Sequence, residues 1–246
     1  MRVKSVIKYQ SHDYIKAARG YYLTFIGITV FFGLILRGRG TYTIGGYEFL
    51  TCIFLFVVGL SSFKEFFLMM LQNSISRKTM FISKLITILF MGLILAVSDR
   101  IIILIGKLLS NISENIEILG FYDRVFKSRM SLLNPVVSNL EAIFITIFTY
   151  IAVTLVGYFV GIIYYKMNKT LKLFVSIGVP ATLFVLLPLF DSMFFGGNLS
   201  KFILKAIQFI FNGKNPYNLL LVCVGVIAVC IVLCWLLIRR AVGKDK

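Results

Sequence analysis

The chain has 246 residues, 59% of which are hydrophobic, and its mean hydropathy is +0.92. Soluble domains are about 45–50% apolar, so this composition excludes an ordinary soluble protein and indicates an integral membrane protein. The formal net charge is +16, but the basic residues lie in short runs between apolar segments. Because no basic domain presents them on one surface, we expect no nucleic-acid partner.

A helix that spans a membrane needs about 20 mostly apolar residues. Six segments of the chain reach or approach this length. They are continuously apolar and lack the alternating pattern of a β-barrel, and helices satisfy the backbone groups that face lipid. The sequence therefore predicts an all-α integral membrane protein with a single transmembrane domain over 1–246. The predicted spans are 21–36, 47–63, 81–97, 142–163, 173–189 and 219–238.

The first twenty residues are basic and amphipathic. Val3 and Tyr14 fall on one side of a helix, while Lys4 and Lys8 lie elsewhere. Helices of this kind lie in the membrane interface with their lysines at anionic headgroups, so we predict an interfacial helix at 1–20. A flexible basic leader that only sets the topology is the alternative.

The segment 64–79, between the second and third spans, combines an apolar stripe with a basic run. On a helix the apolar side chains recur at i, i+3, i+4, i+7 and i+8, which places them on one face. They are Phe63, Phe66, Phe67, Met70 and Leu71. The run Ser76-Arg77-Lys78-Thr79 follows. An amphipathic helix between two spans is suited to pushing on a partner protein or being pushed by one.

The segment 98–141 mixes apolar and charged residues and predicts a small ordered cap. The third helix can continue into it, in which case Asp99 and Arg100 are structural anchors at its boundary. Near the end of the segment, Ser138-x-x-Glu141 is typical of a capping box and predicts the start of the fourth span.

Apolar residues from Leu199 to Ile210 also follow a helical period, with Lys201 and Lys205 off the stripe. About three turns are too few to cross a membrane. We therefore predict a short, non-spanning outer helix before the sixth span, which either dips into the outer leaflet or lies flat on its surface.

The distribution of Lys and Arg orients the spans, since cytoplasmic segments carry the excess. With Lys84, one side holds 16 of the 26 basic residues, in the segments 1–20, 64–80, 164–172 and 239–246. We therefore predict a multi-pass membrane protein with both termini in the cytoplasm.

The residues that catalysis or metal binding would need are few. The chain lacks a phosphate-binding loop of the form G-x-x-x-x-G-K-[ST], and His12 is its single histidine, so we expect neither an enzyme nor a bound cofactor or metal. The cysteines lie within predicted spans and are interpreted as small apolar filler rather than ligands. They are Cys52, Cys223, Cys230 and Cys234.

The order of these elements resembles the permease subunits of ABC-2 type (type V) ABC exporters, over nearly the whole chain. The run at Ser76 to Thr79 is similar to the S-R-K element of small Firmicute permeases of this kind, although many of those carry a Gly just before it, where this chain has Asn73-Ser74-Ile75. The resemblance also covers the terminal W-L-L-I-R-R from Trp235 to Arg240.

This resemblance implies that the helix between the second and third spans docks on a separate cytoplasmic ATPase, present as a dimer, which binds ATP and Mg. It also implies a second permease subunit, either identical or different. The charges of the docking surface would set orientation, and Phe66, Phe67 and Met70 would be its buried anchors. Positive-inside anchoring is the alternative interpretation of Arg77 and Lys78. The implied ATPase-coupling residues are Lys64, Glu65, Phe66, Phe67, Met70, Ser76, Arg77 and Lys78.

The implied cargo is an amphipathic or cationic peptide, such as a phenol-soluble modulin or a bacteriocin, moved out of the cell or out of the membrane. An exporter of a lipid or a lipid-linked glycan is the alternative for the cargo. A membrane-embedded immunity protein that needs no ATPase is the alternative in class, and a membrane enzyme is disfavoured by the missing polar groups.

Overall fold

The computed structural model of the chain describes residues 2–35, 42–110, 116–194, 196–211, 215–239 and 241. The described residues are almost entirely helical, and a π-helical segment, Thr182–Leu186, joins two of the helices. The α-helices are α1 (Arg2–Ile35), α2 (Tyr47–Gln72), α3 (Arg77–Ser110), α4 (Phe121–Val125), α5 (Lys127–Met130), α6 (Pro135–Lys166), α7 (Lys169–Ala181), α8 (Leu187–Phe194), α9 (Asn198–Ile210) and α10 (Tyr217–Arg239). Two short strands, β1 (Tyr42–Gly45) and β2 (Ile116–Leu119), pair in parallel.

Four helices, α2, α3, α6 and α10, are long and apolar enough to cross a membrane. They coincide with the second, third, fourth and sixth predicted spans and are compatible with a multi-pass membrane protein. The structure thus confirms a helical fold with several helices that could span a membrane. The total of six spans stays a prediction. The region of the fifth predicted span, 173–189, is divided among α7, the π-helical segment and α8.

The N-terminal region differs from the expected interfacial helix followed by a separate span. Residues 2–35 form one unbroken helix, α1. No proline interrupts this stretch, so the backbone hydrogen bonding continues through Gly20. The predicted interfacial segment and the first predicted span therefore belong to one continuous helix.

The connection between α2 and α3 also differs from the prediction. Residues 64–72 continue α2 instead of forming a separate helix, because no helix breaker occurs between Phe63 and Gln72. The chain turns at Asn73 and Ser74, where Ser74 has a φ of 53°. The third helix continues past Asp99 and Arg100, as the sequence allowed.

Helix α6 is the centre of the bundle, with α2, α3 and α10 packed around it. Three glycines bring the backbones of α2 and α6 together. A Cβ on Gly161 would lie 2.5 Å from the carbonyl oxygen of Leu60, a Cβ on Gly59 would lie equally close to that of Thr154, and one on Gly157 would collide with α2 as well. This Gly157-x-x-x-Gly161 packing is the close-approach motif of membrane helices.

The predicted capping box at the start of the fourth span is wrong. Helix α6 begins at Pro135, and the side chain of Asn134 caps it by accepting a hydrogen bond from the backbone N–H of Val136. Ser138 therefore lies inside the helix. Glu141 binds the guanidinium of Arg129 instead of a helix terminus.

The predicted short helix before the sixth span is confirmed as α9, a helix of 13 residues. Asp191 of α8 fixes the start of α9, because its carboxylate accepts hydrogen bonds from the backbone N–H groups of Leu199 and Ser200 and from the Ser200 hydroxyl. These bonds, the Ser200 hydroxyl first, lower the pKa of Asp191. The side chains of α7 and α9 that the structure describes are not buried, so these helices lie at the periphery.

Candidate functional site

The residues predicted to bind a partner lie at one end of the bundle, which we call the proximal end; the opposite end, which carries α4 and α5, is the distal end. We call residues 64–79 the α2–α3 corner. The charged members of the predicted set are exposed there, together with Ser76. The exposed residues are Lys64, Glu65, Ser76, Arg77 and Lys78.

The apolar members of the predicted set face the interior of this chain instead. Phe67 is 0% exposed and Met70 is also buried, while Phe66 is half-buried. The ring of Phe67 stacks on Phe63 at 5.1 Å and meets Tyr165 of α6 edge-on at 5.4 Å. Phe67 and Met70 therefore anchor the corner to its own bundle, and in this structure they are not available to another molecule.

Ser76 begins helix α3. Its hydroxyl accepts a hydrogen bond from the backbone N–H of Thr79 at 3.2 Å, which is the geometry of an N-cap. Arg77 and Lys78 then occupy the first turn, where cations oppose the helix dipole. Two cations at this position do not stabilise the helix, so their presence is better explained by membrane orientation or by an anionic partner surface.

Arg77 connects the corner to the end of α10. Its guanidinium donates a hydrogen bond to the backbone carbonyl of Arg239, one of the carbonyls that the end of a helix leaves without a helical partner. Apolar residues of α1, α2, α3, α6 and α10 form one cluster beneath this contact. The buried core of that cluster includes Val6, Phe63, Phe67, Met70, Met80, Phe81, Tyr158, Ile162, Tyr165, Cys234, Ile238 and Ala241.

Lys84 is a buried cation two turns into α3 and is 1% exposed. Its ammonium donates to the hydroxyl of Tyr14 at 2.5 Å and to the hydroxyl of Ser62 at 2.7 Å. It also lies 4.6 Å from the ring centre of Tyr14 and 5.1 Å from those of Phe66 and Tyr158. The amino group of Lys84, on α3, thus contacts residues of three other helices, α1, α2 and α6.

The sequence analysis treated Lys84 only as a basic residue that orients a span. The signal for a larger role was its position inside an apolar segment, where an ionisable residue normally faces the bundle and has a partner. Its actual partners could not be read from the sequence.

A second polar cluster joins the helices at the distal end. Arg100 pairs with Asp123 at 2.9 Å and donates to Asn139 of α6 at 2.6 Å, and Lys107 also contacts Asp123. Burial alone would raise the pKa of Asp123, but its contacts with Lys107 and Arg100 outweigh burial and lower it. Glu48 at the start of α2 caps α4 through two backbone N–H groups.

Asp99 ties three helices together. Its carboxylate accepts hydrogen bonds from the hydroxyl of Tyr22 in α1, at 2.6 Å, and from the hydroxyl of Tyr150 in α6. Asp99 and Arg100 are thus structural anchors, as predicted, because each of them joins helices of the bundle.

The residues that the structure describes include no group of three or more His, Cys, Asp or Glu side chains placed to hold a metal. The cysteines are free, and each is buried or half-buried. The polar clusters described above link helices to one another, and the charged side chains of the α2–α3 corner are exposed.

The comparisons with known proteins give no relative for this chain. No family model, curated protein or solved structure matches it.

Proposed function

We propose that the chain is the membrane-spanning subunit of an ABC-2 type exporter that moves an amphipathic or cationic peptide out of the cell or out of the membrane. A separate cytoplasmic ATPase dimer binds ATP and Mg and supplies the energy. The chain pairs with a second permease subunit, identical or different. Six spans, with both termini in the cytoplasm of a bacterial cell, complete this arrangement.

The observation that supports the proposal is the construction of the α2–α3 corner. Its surface is charged and exposed, while its interior is fixed to α6 by Phe67 and to α10 by Arg77. Packed helices transmit displacement because their interiors are not compressible. A partner that moves this corner therefore moves the proximal ends of several spans together.

The alternatives differ in what they require of the corner. An exporter of a lipid or a lipid-linked glycan also needs the ATPase, so only the cargo separates it from the peptide exporter. If the chain is instead a membrane immunity protein that needs no ATPase, the α2–α3 corner has no ATPase to bind. Binding of an ATPase at the corner is therefore the decisive property.

The test reverses two exposed charges that have no part in the packing described above. The double variant Lys64→Glu/Lys78→Glu is expected to lower co-purification of the ATPase by about tenfold, since a loss of roughly 1.4 kcal/mol suffices for that change. Candidate ATPases are co-expressed with the tagged chain, and the bound fraction is measured after purification in detergent. Arg77 is left unchanged because its contact with Arg239 would confound the result.

The matched control is Lys8→Glu/Lys169→Glu, which makes the same change in charge at two exposed lysines outside the corner. We expect it to retain the ATPase. Equal retention by both double variants would refute docking at the corner, and an equal loss from both would reduce the effect to net charge. Peptide-stimulated ATP hydrolysis in lipid vesicles then separates peptide cargo from lipid cargo.

A further inference from the structure

A cavity of about 270 Å³ lies at the distal end, between α2, α6 and α10 and beneath α4. Apolar cavities of about 150 Å³ already stay dry and bind benzene-sized molecules, so this one has room for a longer apolar group. Six aromatic side chains form much of its wall: Phe49, Phe121, Tyr122, Phe126, Tyr150 and Phe211.

Three of the polar groups in the wall, those of Glu48, Thr149 and Tyr150, are engaged inside the protein. The carboxylate of Glu48 accepts hydrogen bonds from two backbone N–H groups at the start of α4. The hydroxyl of Thr149 donates to the carbonyl of Ile145 at 2.9 Å, and that of Tyr150 donates to Asp99. Because a polar ligand would have to compete with these bonds, the cavity favours an occupant without polar groups.

The cavity reaches the side of the bundle that faces away from the core. Phe49 belongs to its wall and is also 61% exposed. Helices α2 and α10 both pack on α6 but make little contact with each other, which leaves a gap between them. Both helices are long and apolar enough to span a membrane, so in a bilayer hydrocarbon would surround this gap.

We propose that this cavity is a binding site for one acyl chain of a membrane lipid, which enters between α2 and α10. The chain of a neighbouring lipid is the apolar group present at the entrance at high concentration, and most of the cavity wall is aromatic or aliphatic. This site does not depend on an ATPase or on peptide transport, so it can be tested separately from the proposed function.

The experiment places a fluorescent reporter in the wall of the cavity. The single tryptophan, Trp235, lies at the proximal end against Phe81 and is first replaced by Trp235→Phe. The reporter is Phe121→Trp, and the protein is reconstituted in phosphatidylcholine vesicles with or without brominated acyl chains, which quench tryptophan on contact. We expect quenching of the reporter, and its loss when Val153→Phe fills the cavity from α6.

The matched control reporter is Leu221→Trp, at a position on α10 that is 70% exposed. Bulk lipid quenches it with or without Val153→Phe, which also shows that the filled variant is inserted and folded. If Val153→Phe lowers the yield, Cys52→Leu fills the same cavity from α2 with a smaller change.

Two results would overturn the proposal. The first is quenching of the Phe121→Trp reporter that filling the cavity leaves unchanged, because the reporter would then sense only bulk lipid. The second is no quenching in brominated lipid. If a peptide that carries brominated phenylalanine then quenches the reporter, the cavity belongs to the peptide cargo and not to lipid.

Discussion

Lys84 places its amino group inside the bundle, surrounded by hydroxyl groups and aromatic rings. The three ion pairs found among the described residues do not include it. A buried ammonium loses its hydration, and hydroxyl groups and ring faces return only part of that loss. The two hydrogen bonds to Tyr14 and Ser62 therefore carry more of the stability than ordinary hydroxyl contacts do.

This reasoning predicts that Ser62 contributes to stability mainly through its hydrogen bond with Lys84. Ser62→Ala should lower the free energy of unfolding by about 1–3 kcal/mol, the cost of removing one of the two hydrogen bonds that the buried ammonium makes. In a Lys84→Met background the same substitution should have a much smaller effect. Unfolding in detergent measures both, as a double-mutant cycle.

Ser61→Ala is the control, because this neighbouring serine is exposed and its hydroxyl donates to the backbone of Val58. We expect it to change stability little in either background. Equal losses for Ser62→Ala with and without Lys84 would show that the serine acts through its own packing.

At the scale of single elements, the contact between α2 and α6 depends on the absence of side chains. Gly157 and Gly161 lie one turn apart on α6 and admit the carbonyl groups of Phe56 and Leu60. In a membrane such close approach replaces the hydrophobic driving force that is missing between helices in lipid. The contact also sets where Phe67 meets Tyr165, and so fixes the α2–α3 corner.

Gly157→Ala should therefore separate α2 from α6 and destabilise the protein by about 1–3 kcal/mol, as overpacking does in other tightly packed interiors. The midpoint of thermal unfolding in detergent measures this loss. Gly225→Ala in α10 is the matched control, since a Cβ there meets no atom within 4 Å. We expect the control to be neutral or stabilising by up to about 1 kcal/mol. Equal midpoints for the two variants would contradict the packing role of Gly157.

At the scale of the whole molecule, the two ends of the bundle are chemically different. The proximal end carries the exposed charges of the α2–α3 corner, and the distal end carries the ion pairs around Asp123. The excess of Lys and Arg predicts that the proximal end faces the cytoplasm.

Labelling with a membrane-impermeant thiol reagent tests this orientation. A cysteine introduced by Lys127→Cys, exposed at the distal end, should react in intact cells. A cysteine introduced by Gln72→Cys, exposed at the corner, should react only after the membrane is opened. The native cysteines are replaced beforehand. Labelling of the Gln72→Cys variant in intact cells would place the corner outside and remove the basis for an ATPase partner.

Features that depend on residues close together in the sequence, such as the position of a helix, were predictable from the sequence. Hydropathy located four apolar helices, and periodicity located α9. The contacts of Lys84 were not predictable, because Tyr14 lies 70 residues away in the sequence and Ser62 lies 22 residues away. The charged residues of the corner are exposed, while their role in docking stays a prediction. Phe67 turns inward because α2 continues without a break and directs its apolar stripe at α6.

The small parallel sheet has a consequence for motion. β1 leads directly into α2, while β2 follows α3, and their pairing sets Tyr42 opposite Ile116 and Gly45 opposite Leu119. The turn at Asn73 joins the same two helices at their other ends. Because the turn connects α2 and α3 at one end and the strand pair connects them at the other, we expect the two helices to resist splaying apart.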